Sequence, residues 1–166
     1  MNETMQMQGS LTLQLTDREG HVRHEQRRHN RILKSGRDLV AKLFAGVTGG
    51  TPPTRVTHMA VGIDATAPAD SQTGLVNERA PRKEIQSSDV VYSEFDEQAG
   101  GGGTVRRVRV TLKAVFDFNE ANGPEPLREA GIFNAAAGGV IYNRVVFDAV
   151  TKTNAFKLTL IWDITF

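Results

Sequence analysis

Three histidines fall close together, His21, His24 and His29, and such a group first suggests a metal. On a strand, His21 and His24 point to opposite faces. No carboxylate or further histidine stands at a supporting spacing, so no metal ligand is assigned and a solvated basic segment is expected. His58 stands alone in an apolar run and reads as a core or interface histidine. Carboxylates gather at Glu94, Asp96 and Glu97, and again at Asp117 and Glu120. Such groups become acid–base catalysts only when desolvation shifts their pKa, and here they read as solvated strand ends. The run Gly100 to Gly103 leads into Thr104-Val105-Arg106. A phosphate loop needs a Lys-Ser/Thr pair opening a helix, so the glycines read as a hairpin tip. No serine sits in a Gly-x-Ser-x-Gly elbow, although a triad assembled in space is not excluded by residue types. With no cysteine in the chain, disulfides, thiolate zinc and a cysteine nucleophile are excluded. The expectation is a non-enzymatic protein with no cofactor and no metal.

The remaining chemistry is charge. Arg18, Arg23, Arg27, Arg28, Arg31, Lys34 and Arg37 occupy one stretch, interleaved with Asp17, Glu19, Glu25 and Asp38. The plain reading is a solvated face with internal ion pairs. The sharper reading makes Arg23, Arg27, Arg28, Arg31, Lys34 and Arg37 the partner contacts, against an acidic protein or a DNA backbone. No aromatic residue interleaves with them, which argues against a base-stacking platform. Formal net charge over the 166 residues is only +1, so the total does not point to a nucleic-acid binder.

The elements that carry these residues follow from periodicity. Leu11, Leu13 and Leu15 alternate with polar partners as a half-buried strand. Residues 17–20 are a turn, and 21–27 return as a polar strand. Asn30 is placed to cap a helix. Ile32, Leu33, Leu39, Val40, Leu43, Phe44 and Val47 recur at helical spacing, giving one main helix over about residues 31–47 with Leu43 and Phe44 on its packed stripe. Residues 56–63 form an apolar strand, 64–74 a loop, and 75–79 a short helical turn. Residues 82–97 read as one long strand interrupted near Ser87-Ser88-Asp89. Residues 130–134 are short and apolar, and alternation marks further strands at 108–118, at 141–149 with Asn143 breaking the apolar face, and at 156–166, the last running without a miss to Phe166.

About seven or eight strands with short turns and one helix give a mainly β fold, an antiparallel sandwich or barrel-like domain. Residues 1–10 are expected to be a polar N-terminal arm that orders on a neighbour, and 11–166 a single β-rich domain. The loop at 64–74 and the glycine tip are expected to reach across an interface. Apolar residues make up 39% and charged residues 23%, a soluble globular composition. No apolar run approaches the ~20 residues of a membrane span. The polar first ten residues lack the apolar stretch of a signal peptide.

Four segments then occur in order: Ser35-Gly36-Arg37-Asp38-Leu39-Val40-Ala41; Met59-Ala60-Val61-Gly62; Gly74-Leu75-Val76-Asn77-Glu78-Arg79; and Arg128-Glu129-Ala130-Gly131-Ile132-Phe133-Asn134. The pattern resembles small tail-associated proteins of tailed bacteriophages and the N-terminal attachment domains of phage tail-collar fibre proteins, over roughly residues 30–166. The resemblance implies a structural component of the virion with no catalytic residue: a collar, neck or baseplate ring subunit, or a fibre-attachment adaptor. Its implied partners are copies of itself in a symmetric ring and other tail, neck or fibre proteins, without a membrane. The alternatives are a connector subunit making non-specific DNA contact and a small tail-associated cell-wall hydrolase. Within the motifs, Gly62 and Gly131 are expected where backbone approaches closely, and Glu129 is expected to pair with Arg79 or Arg144.

Overall fold

The computed structural model describes residues 7–166. The chain begins with two polar-faced strands, β1 (Gln8–Thr16) and β2 (Val22–His29), followed by the short β3 (Arg31–Ile32) and the helix α1 (Lys34–Phe44). Seven strands follow: β4 (His58–Gly62), β5 (Glu78–Glu84), β6 (Val90–Gln98), β7 (Thr104–Phe116), β8 (Leu127–Phe133), β9 (Ile141–Val150) and β10 (Lys157–Thr165). They form two five-stranded antiparallel sheets: sheet A in the order β2-β1-β10-β7-β6, and sheet B in the order β3-β9-β8-β4-β5. Neither closes on itself, so the mainly β fold is a sandwich and not a barrel.

Period-two alternation explains the main core. Leu11, Leu13 and Leu15 of β1, Leu112, Ala114 and Phe116 of β7, and Leu158, Leu160, Trp162 and Ile164 of β10 present one buried face. Met59, Val61, Ala130, Ile132, Val145 and Phe147 of sheet B meet it. Each fully buried Leu or Phe contributes roughly 1.5–3 kcal/mol. Trp162 is the largest buried side chain, and its indole Nε1–H donates to Asn30 Oδ1 at 2.9 Å. Asn30 is therefore occupied in the sandwich and does not cap the helix. The residue flanking the helix is Leu33, with no side-chain cap.

The helix is shorter than the spacing suggests. It ends where Gly46 takes a positive φ of 62°, with Gly46 N–H donating to Leu43 O and Val47 N–H to Lys42 O, a glycine-terminated C-cap. Leu39 is buried at 4% exposure, but Phe44 is 94% exposed and Leu43 also faces solvent. Expecting both Leu43 and Phe44 on the packed stripe is thus corrected. The helix seats on β9 through Gly36, where a Cβ would lie 2.0 Å from Tyr142 O.

Two further expectations change. Residues 82–97 are not one strand: β5 lies in sheet B and β6 in sheet A, and the 3-10 turn Ser87–Asp89 carries the chain between them. Residues 75–79 do not form a helical turn. Val76 and Asn77 give their N–H groups to Glu129, and β5 starts at Glu78. Gln8–Ser10, read from sequence as part of the arm, are the first residues of β1, and partly buried Met7 packs on the core. The rest of that arm lies outside the described residues.

Candidate functional site

The resemblance motifs, scattered over some hundred residues of chain, converge on sheet B. At their centre is a fully buried ion pair, Arg144 Nε donating to Glu129 Oε2 at 2.7 Å. Glu129 also accepts from Val76 N–H at 3.1 Å and Asn77 N–H at 2.8 Å. Arg144 Nη1 donates to Thr66 O at 2.7 Å and to Gln72 Oε1, and Asp64 stands 3.7 Å from Nη2. Gly62 has no room for a side chain there, since a Cβ would sit 2.4 Å from Asn77 O and 2.5 Å from Glu129 Oε1. Gly131 meets Asn143 O, Ile141 and Leu75 in the same way. Of the two expected partners Glu129 takes Arg144; Arg79 reaches Glu125 and Ala121 O instead. The node fastens residues 64–77 over the face of sheet B that points away from the main core.

The basic residues do not form one patch. Arg23 binds Asp17. Arg28 binds Asp148 on β9. Arg31 and Arg37 both hold Asp70, with Arg37 Nη2 at 2.8 Å. Arg27 donates to Ser10 Oγ at 3.0 Å, and neither it nor Lys34 has a carboxylate partner among the described residues. Most of the segment therefore clamps the protein's own strands and loops. The 64–74 loop, expected to reach outward, is tied down by Arg31, Arg37 and Arg144.

Several carboxylates are held ionised by the donors around them. The His21 backbone N–H and the Arg23 guanidinium outweigh the desolvation of Asp17 and lower its pKa to about 2. Hydrogen bonds from Lys42 and from Arg37 lower Asp38 and Asp70, and Thr66 lowers Asp64. Phe118 N–H lowers Asp117; for Glu120 desolvation opposes the shift, and Lys83 overrides it. A general acid needs the opposite shift. The 17–21 turn also brings Asp17 and Glu19 to His21, one ligand atom of each within 4.8 Å of the others, a grouping that sequence spacing did not suggest. Asp17 is occupied there: Oδ1 accepts from Glu19 N–H and His21 N–H, and Oδ2 from Arg23. His58 Nδ1 lies 2.9 Å from Thr57 Oγ1. The glycine tip is the β6–β7 turn, with Gly102 at φ 84°.

Lys152 was not marked by sequence at all. It is fully buried, and its Nζ donates to Asp117 O, Asn122 Oδ1, Phe118 O and Thr153 O. Burial lowers its pKa, against Asp117 and Glu120, which raise it. It organises the turn in which Ala121 takes a positive φ of 55°.

Among the described residues, two surfaces stand out for their exposed apolar side chains. One is an apolar cleft of about 320 Å³ at the open end of the sandwich, between α1 and the strand ends, lined by Leu39, Leu43, Val56, Val110, Tyr142 and Phe166. Burial pushes the pKa of the Tyr142 phenol up. The other is β6: only Phe95 of its nine residues is half-buried, and Val90, Val91 and Tyr92 are exposed. Its sequence signal was a strand without period-two alternation, Val90-Val91-Tyr92 followed by Glu94, Asp96 and Glu97. No helix among the described residues is long and apolar enough to cross a membrane. No protein-family model, no curated protein and no solved structure matches the chain.

Proposed function

We propose that this protein is a structural subunit of a tailed-bacteriophage virion, present in repeated copies in the collar, neck or tail baseplate or at the point of fibre attachment. The observation that carries the reading is the convergence of the four motif segments on sheet B. Ser35 and Gly36 seat the helix on Ile141 and Tyr142, Met59 to Gly62 pair with β8, and Val76 and Asn77 close on Glu129. The residues that carry the phage resemblance thus act on one another as a fold-specifying unit, and none of them lines a cleft holding two convergent carboxylates. Buried polar networks of this kind specify one arrangement of loops and strands, as a subunit that must present a fixed surface requires.

The alternatives have weaker support. A DNA-contacting connector would want its cations free, whereas Arg23, Arg28, Arg31 and Arg37 are bound to the protein's own carboxylates. A cell-wall hydrolase would want a carboxyl with raised pKa, whereas among the described residues Asp17, Asp38, Asp64, Asp70, Asp117 and Glu120 are all shifted downward. The test is quantitative mass spectrometry of purified particles from a phage or induced prophage encoding the chain. The proposal expects several copies per particle, in fixed ratio to other tail proteins. Its absence from particles that contain the complete tail would refute it.

A further inference from the structure

We propose that the two outer strands of sheet A join between copies, β6 of one subunit running parallel beside β2 of the next, so that the sheet continues from subunit to subunit. The inference deepens the assembly role proposed above and rests on that reading.

The four sheet edges are treated differently. In sheet B, β3 is two residues long and leads directly toward α1, and β5 carries Pro81. Short edge strands and edge prolines protect against pairing with another chain. In sheet A the edges are eight and nine residues long, without proline. Among the described residues their backbones bond only to β1 and β7, with two exceptions. Arg27 O accepts from Arg28, and Val90 N–H closes the 3-10 turn on Ser87 O. A long exposed strand with unpaired N–H and C=O groups is a template for another strand.

The two edges complement each other. β2 carries Arg23, Arg27 and Arg28 against one glutamate, with His24 and His29 besides. β6 carries Glu94, Asp96 and Glu97 and no cation. Arg106 and Arg107 of β7 bind these carboxylates, yet Asp96 Oδ2 and Glu97 Oε1 have no partner among the described residues. On β2, Arg23 and Arg28 already hold Asp17 and Asp148, which leaves Arg27 and the histidines to answer them. A two-fold contact would set Arg23 beside Arg28 for β2 on β2 and Glu94 beside its own copy for β6 on β6, like-charge pairs that are unfavourable across strands, and would bring no cation to Asp96 and Glu97.

Direction follows independently from topology and from sequence. Four antiparallel steps separate β2 from β6, so within one subunit they point the same way. A neighbour related by rotation about an axis along the strands keeps that direction and pairs in parallel. Parallel pairing also sets Val22, at the start of β2, beside Val90 and Val91, at the start of β6. Arg27, Arg28 and His29 then lie beside Asp96 and Glu97. Antiparallel pairing would set Arg27 and Arg28 beside Ser93 and Tyr92, and would bring to Glu97 only Arg23, which already holds Asp17. A contact between two different edges is heterologous, and it closes into a ring when its rotation divides a full turn.

The chain has no cysteine, so introduced thiols report alone. Val22→Cys and Val91→Cys both alter exposed positions, and circular dichroism should show both variants folded. Under mild oxidation, a mixture of the two should give a cross-linked dimer, and the double variant a ladder of species. Val22→Cys mixed with Gln98→Cys should give neither. Arg27→Glu with Arg28→Glu should cut the cross-linking of the Val22→Cys and Val91→Cys pair about tenfold. Asp96→Lys with Glu97→Lys on the partner should restore it. Self-dimers of each single variant as abundant as the mixed product, cross-linking with Gln98→Cys in place of Val91→Cys, or no cross-link at the highest soluble concentration would each overturn the inference. An oligomer joined elsewhere would defeat the edge pairing and leave the assembly role standing. Cross-linked edges in a chain absent from virions would do the reverse.

Discussion

Glu129 shows how a single residue type foretold a contact without foretelling its consequence. Its pairing with a nearby arginine was legible, because a glutamate in an apolar strand must find a cation. That it would also gather the N–H groups of Val76 and Asn77 was not, since those lie some fifty residues earlier in a segment whose composition suggested a helical turn. Glu129→Leu should cost about 3–5 kcal/mol in urea unfolding, because it leaves buried Arg144 without its charge partner. Glu129→Gln should cost less, because its amide oxygen keeps an acceptor for one of the two N–H groups. Equal costs would show that the lost charge alone sets the penalty and that the retained hydrogen bond contributes nothing. At the surface, Asp17 titrates from an ordinary 3.8 down to about 2 in the folded state. Its contribution to stability is therefore complete above about pH 4, falls as pH drops toward 2, and is gone below that. Asp17→Asn should flatten this part of an acid-unfolding profile while leaving stability less dependent on pH between 4 and 2.

The strands of the core were readable element by element, since Leu11 to Leu15 and Phe156 to Phe166 alternate as a sandwich face demands. The helix was readable in position but not in orientation or length. Its stripe of Leu39, Val40, Leu43 and Phe44 has the right spacing, yet α1 sits at the open end of the sandwich. Only the part near Leu39 meets strands there, and Gly46 ends it before Val47. Leu39→Ala should cost about 2–5 kcal/mol, and Phe44→Ala about 0.5 kcal/mol or less, measured by chemical denaturation; equal costs would mean that the exposed end of the helix is packed. The crossing of β5 into β6 was hidden for a related reason. Both segments look like strand, and no local feature says that Ile85 turns inward while the chain changes sheets. The basic segment divides the same way, because β2, β3 and α1 leave in different directions and distribute its charges. Replacing Arg27, Arg28 and Arg31 by serine should lower stability by no more than about 1 kcal/mol per exposed pair, with thermal unfolding as the check; a collapse of the fold would give the segment a structural role that its exposure denies.

At the scale of the whole molecule, the two sheets divide the work. Sheet B holds the convergent motifs, the buried Glu129–Arg144 pair and the tied-down loop, and its edges are short or carry proline. Sheet A holds the largest buried aromatic and ends in two long outer strands of unlike charge. Fold class could be reached from periodicity because patterning is a property of each strand. The edges could not, because which strand lies outermost depends on sheet order, and sheet order is set by long-range pairing such as β1 with β10. The proposed virion role makes use of this asymmetry: one sheet fixes the subunit's shape and the other offers it to neighbours. The most direct measurement is cryo-electron microscopy of the intact particle at a resolution that traces strands. The account predicts this chain in several symmetry-related copies in the tail, neck or collar, with β2 and β6 of adjacent copies side by side. Particles with complete tails that lack the chain, or hold a single copy without a symmetric neighbour, would contradict it.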